Sequence, residues 1–278
     1  MTNSFRLSHD GPVTTLTLSK PEKRNAMTAD FWRDLPREVD ALSDSGTCRC
    51  LVIDAEGPHF SSGIDVGMLT SVRPDGLGAS EGLFTYDMVS KLQRTFTALE
   101  KARMPVIAAI QGGCIGGGVD LVTACDIRLC TDNAYFTIFE VNMGLTADVG
   151  TFPRVLNHLP EGIVRELSYT GRKMHADEAL RFGFVNRVLE DHESVRSAAQ
   201  DLAQDIASKS PMAVYGTKEI ITYSRDHSTT ESLDRIALWN ASNLQSTEVM
   251  AAMMAQQSGK PGAYTALPAR KKDEEDEG

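Results

Sequence analysis

The sequence predicts an α/β core followed by a helical C-terminal region. Two observations carry this. Short apolar runs bounded by Gly, Pro or Asp alternate with segments of helical periodicity through the first half of the chain, and from Gly162 onward the pattern is mostly helical. A third bounds the class. The 278 residues, 41% hydrophobic and 24% charged, suit an ordinary globular chain with one large core or two small ones. We expect a core over residues 1–200, a helical region over 201–265 and a charged, solvated and disordered tail over 266–278.

Along the chain, Phe5 to Ser8 and Val13 to Leu18 are β-prone, and Asp10-Gly11-Pro12 between them reads as a hairpin turn. Thr28 is placed as a helix N-cap, and Phe31, Leu35, Val39 and Leu42 come after it at helical spacing. Pro36 lies inside that pattern and is expected to kink or shorten the helix. Cys50 to Ala55 is a buried-type strand, succeeded by a Gly-, Ser- and Pro-containing loop to Gly63. Residues 70–82 are Gly- and Ser-rich and expected to be mobile. Phe84, Met88, Leu92, Phe96 and Leu99 mark an amphipathic helix. Val106 to Ile110 is a second buried-type strand, leading through a Gly-rich turn into a helix near Gly116 to Ala124. Asp126 to Cys130 and Ala134 to Ile138 read as further strands, and Ser194–Ser208, Pro211–Tyr223 and Thr230–Gln257 as helices.

Composition also excludes partners. A net charge of −10 repels phosphate backbones at long range, so no nucleic acid is expected. No apolar stretch approaches the roughly 20 residues that span a bilayer, so no membrane is expected either. The five cysteines, Cys48, Cys50, Cys114, Cys125 and Cys130, form neither a disulfide framework nor a CxxC metal pair. Reduced thiols, an N-terminus without a signal-peptide pattern and a C-terminus that is no peroxisomal tripeptide point to a cytoplasmic location.

Two segments share one layout: strand, Gly-containing turn, then helix. They are Phe60-Ser61-Ser62-Gly63-Ile64-Asp65 and Gln111-Gly112-Gly113-Cys114-Ile115-Gly116-Gly117-Gly118. Glycines let a backbone approach a ligand closely, and two free N–H groups facing one point make an oxyanion hole. They equally serve turns and close helix packing. Neither segment has the spacing of a dinucleotide fingerprint. Three carboxylates lie in weakly charged segments: Asp120, Glu140 and Asp148. An acid in an apolar setting tends toward a raised pKa, which suits proton transfer near neutrality. Capping, a buried hydrogen bond or metal ligation would explain each one singly.

These segments resemble the crotonase (enoyl-CoA hydratase/isomerase) superfamily. Gly112 to Arg128, GGCIGGGVDLVTACDIR, is similar to its signature, and FSSGIDV to its first oxyanion-hole loop. SKPEKRNAMT is similar to the loop beside bound coenzyme A, and Thr170 to Val188 to a downstream helix-turn segment. Hydratases have Glu at the place of Asp120 and Gly at the place of Asp148, whereas dienoyl-CoA isomerases resemble this chain at Asp120, Glu140 and Asp148 alike. The resemblance implies a spiral of ββα units with C-terminal helices that assemble trimers or hexamers. It implies backbone N–H groups of Ile64 and Gly117 on a thioester carbonyl, Glu140 as base, Asp148 as acid and Asp120 tuning the pair. Ser62, Gly63, Asp65 and Gly118 would line the substrate, Lys23 and Arg24 would meet coenzyme A, and Lys271 and Lys272 could reach it from a neighbouring subunit. The activity implied is a shift of 3,5-dienoyl-CoA to 2,4-dienoyl-CoA in fatty-acid β-oxidation. No metal and no cofactor are expected, because coenzyme A enters as the substrate thioester. The alternatives are a hydratase, which has no evident use for Asp148, and a non-catalytic CoA-binding protein, which would have no use for the acids.

Overall fold

A computed structural model describes residues 4–71, 79–260 and 262–270. Strands β1 (Phe5–Asp10) and β2 (Val13–Leu18) form the expected hairpin, with Asp10 opposite Val13 across Gly11-Pro12. Gly11 turns at φ 55°, which a residue without Cβ adopts at little cost. Four parallel neighbours extend the sheet: β3 (Cys50–Ala55), β4 (Val106–Ile110), β6 (Ile127–Thr131) and β9 (Arg187–Leu189), in the order β1-β2-β3-β4-β6-β9. A second, three-stranded sheet pairs β5 (Gly113–Ile115), β7 (Tyr135–Thr137) and β8 (Met174–His175). Each of two successive units runs from a large-sheet strand to a small-sheet strand and then to helix. β4 and β5 lead into α4 (Gly117–Thr123), counting α1 (Ala29–Ser45), α2 (Val66–Ser71) and α3 (Ala79–Lys101) before it. β6 and β7 lead through a 3₁₀ turn, Glu140–Met143, to α5 (Thr151–Val155) and α6 (Glu161–Thr170). The loop after β3 joins the same pattern through a Ser61–Cys114 bridge. This is the spiral of ββα units.

The central strands are buried on both faces, which is why they read as continuous apolar runs. Leu51, Ile53, Val106, Ala108 and Ile110 face the main core with Phe31, Leu35, Phe60, Phe96 and Leu99. Cys50, Val52, Ile107 and Ala109 face α8 (His192–Ala207), which comes after α7 (Ala176–Arg181). α8 presents Val195, Ala199, Ala203 and Ala207 at a four-residue spacing, small side chains that let it lie close to the sheet. Residue 200, expected to end the core, falls inside this helix, so no boundary between core and helical region lies there.

Several expectations are corrected. α1 runs unbroken through Pro36 and is not shortened. Thr28 does take the N-cap position, but its hydroxyl pairs with Ser4 Oγ at 2.9 Å and not with a helix N–H. The segment 230–257 is two helices, α10 (Thr229–Asn243) and α11 (Ser246–Ser258), because Leu244 and Gln245 are extended; α9 (Pro211–Ser224) precedes both. Residues 266–270 of the expected tail are placed against the core. Leu267 is buried, the Arg103 guanidinium donates to Pro268 O at 2.9 Å, and Arg270 N donates to Asp44 O at 2.9 Å, so residues 262–270 are strapped to the end of α1. Residues 271–278 lie outside the described residues, as do 72–78 of the stretch expected to be mobile; its ends belong to α2 and α3. Among the described residues no helix is long and apolar enough to cross a membrane.

Candidate active site

The site forms where two chain segments leave the large sheet side by side. Buried Asn25 sets the first. Its side chain accepts from Lys20 N (2.9 Å) and donates to Glu56 O (2.9 Å) and His59 O (3.0 Å), while Ser61 Oγ donates to its carbonyl at 2.9 Å. Asn25 adopts φ 53°, a left-handed conformation that Asn tolerates better than most residues. Met27 N donates to Gly63 O at 2.8 Å and Asp65 N to Met27 O at 3.1 Å. That parallel bridge uses the groups on either side of Ile64 and leaves the Ile64 N–H turned away from it. Gly63 sits at φ 84°, where a Cβ would lie 2.7 Å from Ile115 O and 2.9 Å from Gly117 N. Gly117 opens α4, so its N–H has no intrahelical acceptor, and a Cβ on it would lie 3.5 Å from Ile64 N. Two glycines thus let the loop that carries Ile64 pack directly against the start of α4.

The carboxylates gather around the same turn. Glu140 Oε1 would be 3.2 Å from a Cβ on Gly116, and its Oε2 is buried without a hydrogen-bond partner among the described residues. Burial raises the Glu140 carboxyl above its ordinary range, and the charge of Asp148 adds to the rise. Asp120, 1% exposed on α4, accepts from Thr151 Oγ1 at 2.6 Å. Burial pushes it up to about 7; Thr151 opposes the shift, and Glu140 and Asp148 reinforce it. Asp148 is exposed, and its main-chain carbonyl accepts from Gln93 Nε2 of α3 at 2.7 Å. The three acids therefore form one electrostatically coupled cluster.

Other predicted site residues fall less uniformly. Ser62 N donates to Arg24 O at 2.9 Å, which ties exposed Lys23 and Arg24 to the rim of the Ile64 loop. Asp65 Oδ1 accepts from Gly67 N at 2.9 Å and so caps the start of α2. Gly118 is buried, and a Cβ there would meet Ser61 Cβ at 3.3 Å and Cys114 Sγ at 3.4 Å, so it packs α4 closely against the loop. Lys271 and Lys272 lie outside the described residues. Asn25, Gln93 and Thr151 escaped the sequence reading. Thr151 is 31 positions from Asp120, and no spacing rule joins them. Asn25 carried a usable signal, an Asn in the turn just before a helix.

A coupled set of three acids, one buried, one half-buried and one exposed, beside a loop and a helix start that each offer a free N–H group is equipped for proton transfer next to a stabilised carbonyl oxygen. The chain belongs to the enoyl-CoA hydratase/isomerase family, whose model matches residues 9–259. It is similar to the mitochondrial Δ(3,5)-Δ(2,4)-dienoyl-CoA isomerase of Mus musculus, 49% identical over 87% of this chain and 76% of that one. The peroxisomal enzyme of the same name from Arabidopsis thaliana is 36% identical over 91% of this chain and 92% of its own. A Thermobifida fusca structure in complex with acetoacetyl-CoA superposes with a TM-score of 0.78 at 30% identity, covering 87% of this chain and 95% of that one. The expected cytoplasmic location does not stand, because these isomerase relatives are mitochondrial and peroxisomal proteins.

Proposed function

We propose that this chain is an acyl-CoA isomerase of fatty-acid β-oxidation that converts 3,5-dienoyl-CoA to 2,4-dienoyl-CoA. The observation that carries the reading is the coupling of Asp148 to Glu140 beside the Gly116-Gly117 turn. A hydratase needs two acids on one water; a double-bond shift along a conjugated chain needs a base at one end and an acid at the other.

The thioester oxygen is held between the N–H groups of Ile64 and Gly117. Glu140 takes a proton from C2, and the electron pair left behind delocalises through C3=C4 and C5=C6 toward C6. The carbonyl oxygen shares the negative charge, where one well-placed donor is worth about 3 kcal/mol or more. Asp148 delivers a proton to C6, which leaves double bonds at C2=C3 and C4=C5. Two carboxylates take opposite roles when their environments differ. Glu140 is recessed with an orphaned oxygen, whereas Asp148 is exposed on a loop. Lys23 and Arg24 meet the coenzyme A phosphates from the rim, and no further cofactor enters. The exposed Leu233, Leu238, Leu244, Met250 and Met253 of the last helices supply contacts for a trimer or hexamer.

Purified protein assayed in parallel with 3,5-octadienoyl-CoA and crotonyl-CoA tests the reading. Isomerisation of the diene with little hydration of crotonyl-CoA is expected. Hydration alone assigns the chain to the hydratases. Binding without turnover of either makes it a CoA-binding protein.

A further inference from the structure

Asp120 is the deepest of the three acids, and it pairs with no cation among the described residues. What it does have is Thr151, 1% exposed, whose hydroxyl donates to Oδ1 at 2.6 Å and whose main-chain N–H pulls the same way. Thr151 opens α5, three residues after Asp148. The donor that grips Asp120 and the acid that faces the substrate therefore ride on one short segment. Gln93 holds that segment at the Asp148 carbonyl, and Arg154, one turn beyond Thr151, holds it to α3.

The other groups around Asp120 narrow its role. β5 brings Cys114, whose thiol burial keeps neutral. The 3₁₀ turn brings Glu140 and the loop after it brings Asp148. The Arg154 guanidinium is committed to Glu100 Oε2 at 3.3 Å and Thr97 Oγ1 at 3.0 Å. Arg128 and His158 serve the far end of α4, at the carbonyls of Val122 and Thr123. Among the described residues, Thr151 is the one that opposes protonation of Asp120 through a direct bond.

We propose that Thr151 is a positioning residue: its donated bond keeps Asp120 a charged acceptor, whose repulsion favours a proton on Asp148, the acid that delivers it. This rests on the isomerase reading. Each turnover moves one proton from C2 to Glu140 and one from Asp148 to C6. The enzyme is restored when the proton on Glu140 passes back to Asp148. Charged Asp120 repels charge on both and so favours the proton on each, whereas a protonated Asp120 gives up that repulsion. A hydroxyl donating to a carboxylate favours its ionised form. Even with that bond, burial pushes Asp120 up to about 7, so its charge at neutral pH is sensitive to any change in that bond. Without it the carboxyl is pushed higher still, and less of it is ionised at neutral pH.

The test compares Thr151→Val, which keeps the shape and loses the hydroxyl, with Thr151→Ser, which keeps the hydroxyl. For Thr151→Val, kcat on the diene should fall about fivefold at pH 7 and return when the pH is raised by about one unit. Exchange of the α-proton through Glu140 should stay within about twofold, and Thr151→Ser should keep the wild-type profile. Carboxyl ¹³C titration of aspartate-labelled protein should show the Asp120 signal, assigned by its loss in Asp120→Asn, moving to higher pH in Thr151→Val. Should Val at this position prevent folding, Thr151→Ala removes the same hydroxyl without adding bulk. A loss of equal size at every pH, or a serine variant that behaves like the valine variant, overturns the proposal. A wild type inert on the diene defeats the isomerase reading instead, and the ¹³C titration still reports whether Thr151 controls Asp120.

Discussion

At the scale of single residues, the site is a problem in keeping protons apart. Glu140 and Asp120 are both raised by burial, and each feels the charge of Asp148. Their assigned roles separate experimentally. Glu140→Gln keeps the size of the side chain and removes the base, so solvent exchange of the α-proton of a bound acyl-CoA should slow by about 10²–10⁴. Exchange at the wild-type rate would transfer the base role to Asp120. Asp148→Asn should leave that exchange within a few-fold and reduce diene isomerisation by about a hundredfold or more, with acyl-CoA affinity little changed, because binding and chemistry use different groups. An unchanged kcat on the diene would remove Asp148 from the mechanism. Asp120 and Asp148 differ in kind: one is enclosed by α4 and α5, the other is exposed on the segment between them.

At the scale of elements, the proposed oxyanion pair depends on how closely a loop and a helix start can approach. Gly63 allows it for two reasons. Its φ of 84° is one that a Cβ makes costly, and the space a Cβ would need is filled by backbone atoms of Ile115 and Gly117. Backbone neighbours cannot rotate away as a side chain can. Gly63→Ala should therefore push the Ile64 loop off α4, lowering kcat by about tenfold or more while costing about 1–3 kcal/mol in denaturant unfolding. Loss of stability with full activity would show that the two N–H groups need not stay adjacent. Elsewhere, element-level patterns were legible where packing is local. The period-four Ala and Val face of α8 and the apolar runs of β3 and β4 could be read directly, since their partners are whole sheet faces. The break at Leu244-Gln245 could not, because neither residue is a Gly or Pro and both flanking segments are rich in helix formers.

At the scale of the molecule, the C-terminal helices leave apolar side chains uncovered. Leu233 is 62% exposed, Leu238 59% and Leu244 68%, while Trp239 of the same helix packs on Tyr215 within the chain. Sedimentation should give a particle of three chains or a multiple of three, and Leu238→Glu with Met253→Glu should break it into smaller species. A monodisperse single chain for the wild type would leave those side chains without a partner role. Buried Lys218 joins this region to the core through Asp126 Oδ2 at 2.8 Å and the carbonyls of Leu99 and Met104, so the helices that carry the apolar face are not free to drift.

By itself the sequence determined the α/β class, the two glycine turns, the identity of the acids and the family, because these rest on local periodicity and on residue types at fixed short spacing. Tertiary structure decided how those pieces meet. Asp120, Glu140 and Asp148 become one titrating cluster only when α4, the 3₁₀ turn and the loop before α5 close on each other, since charge coupling depends on distance in space. Gly118 and Asp65 serve packing and capping, a distinction no sequence spacing encodes. Thr151 became visible only when the fold carried its hydroxyl to within 2.6 Å of a carboxylate that no cation among the described residues neutralises.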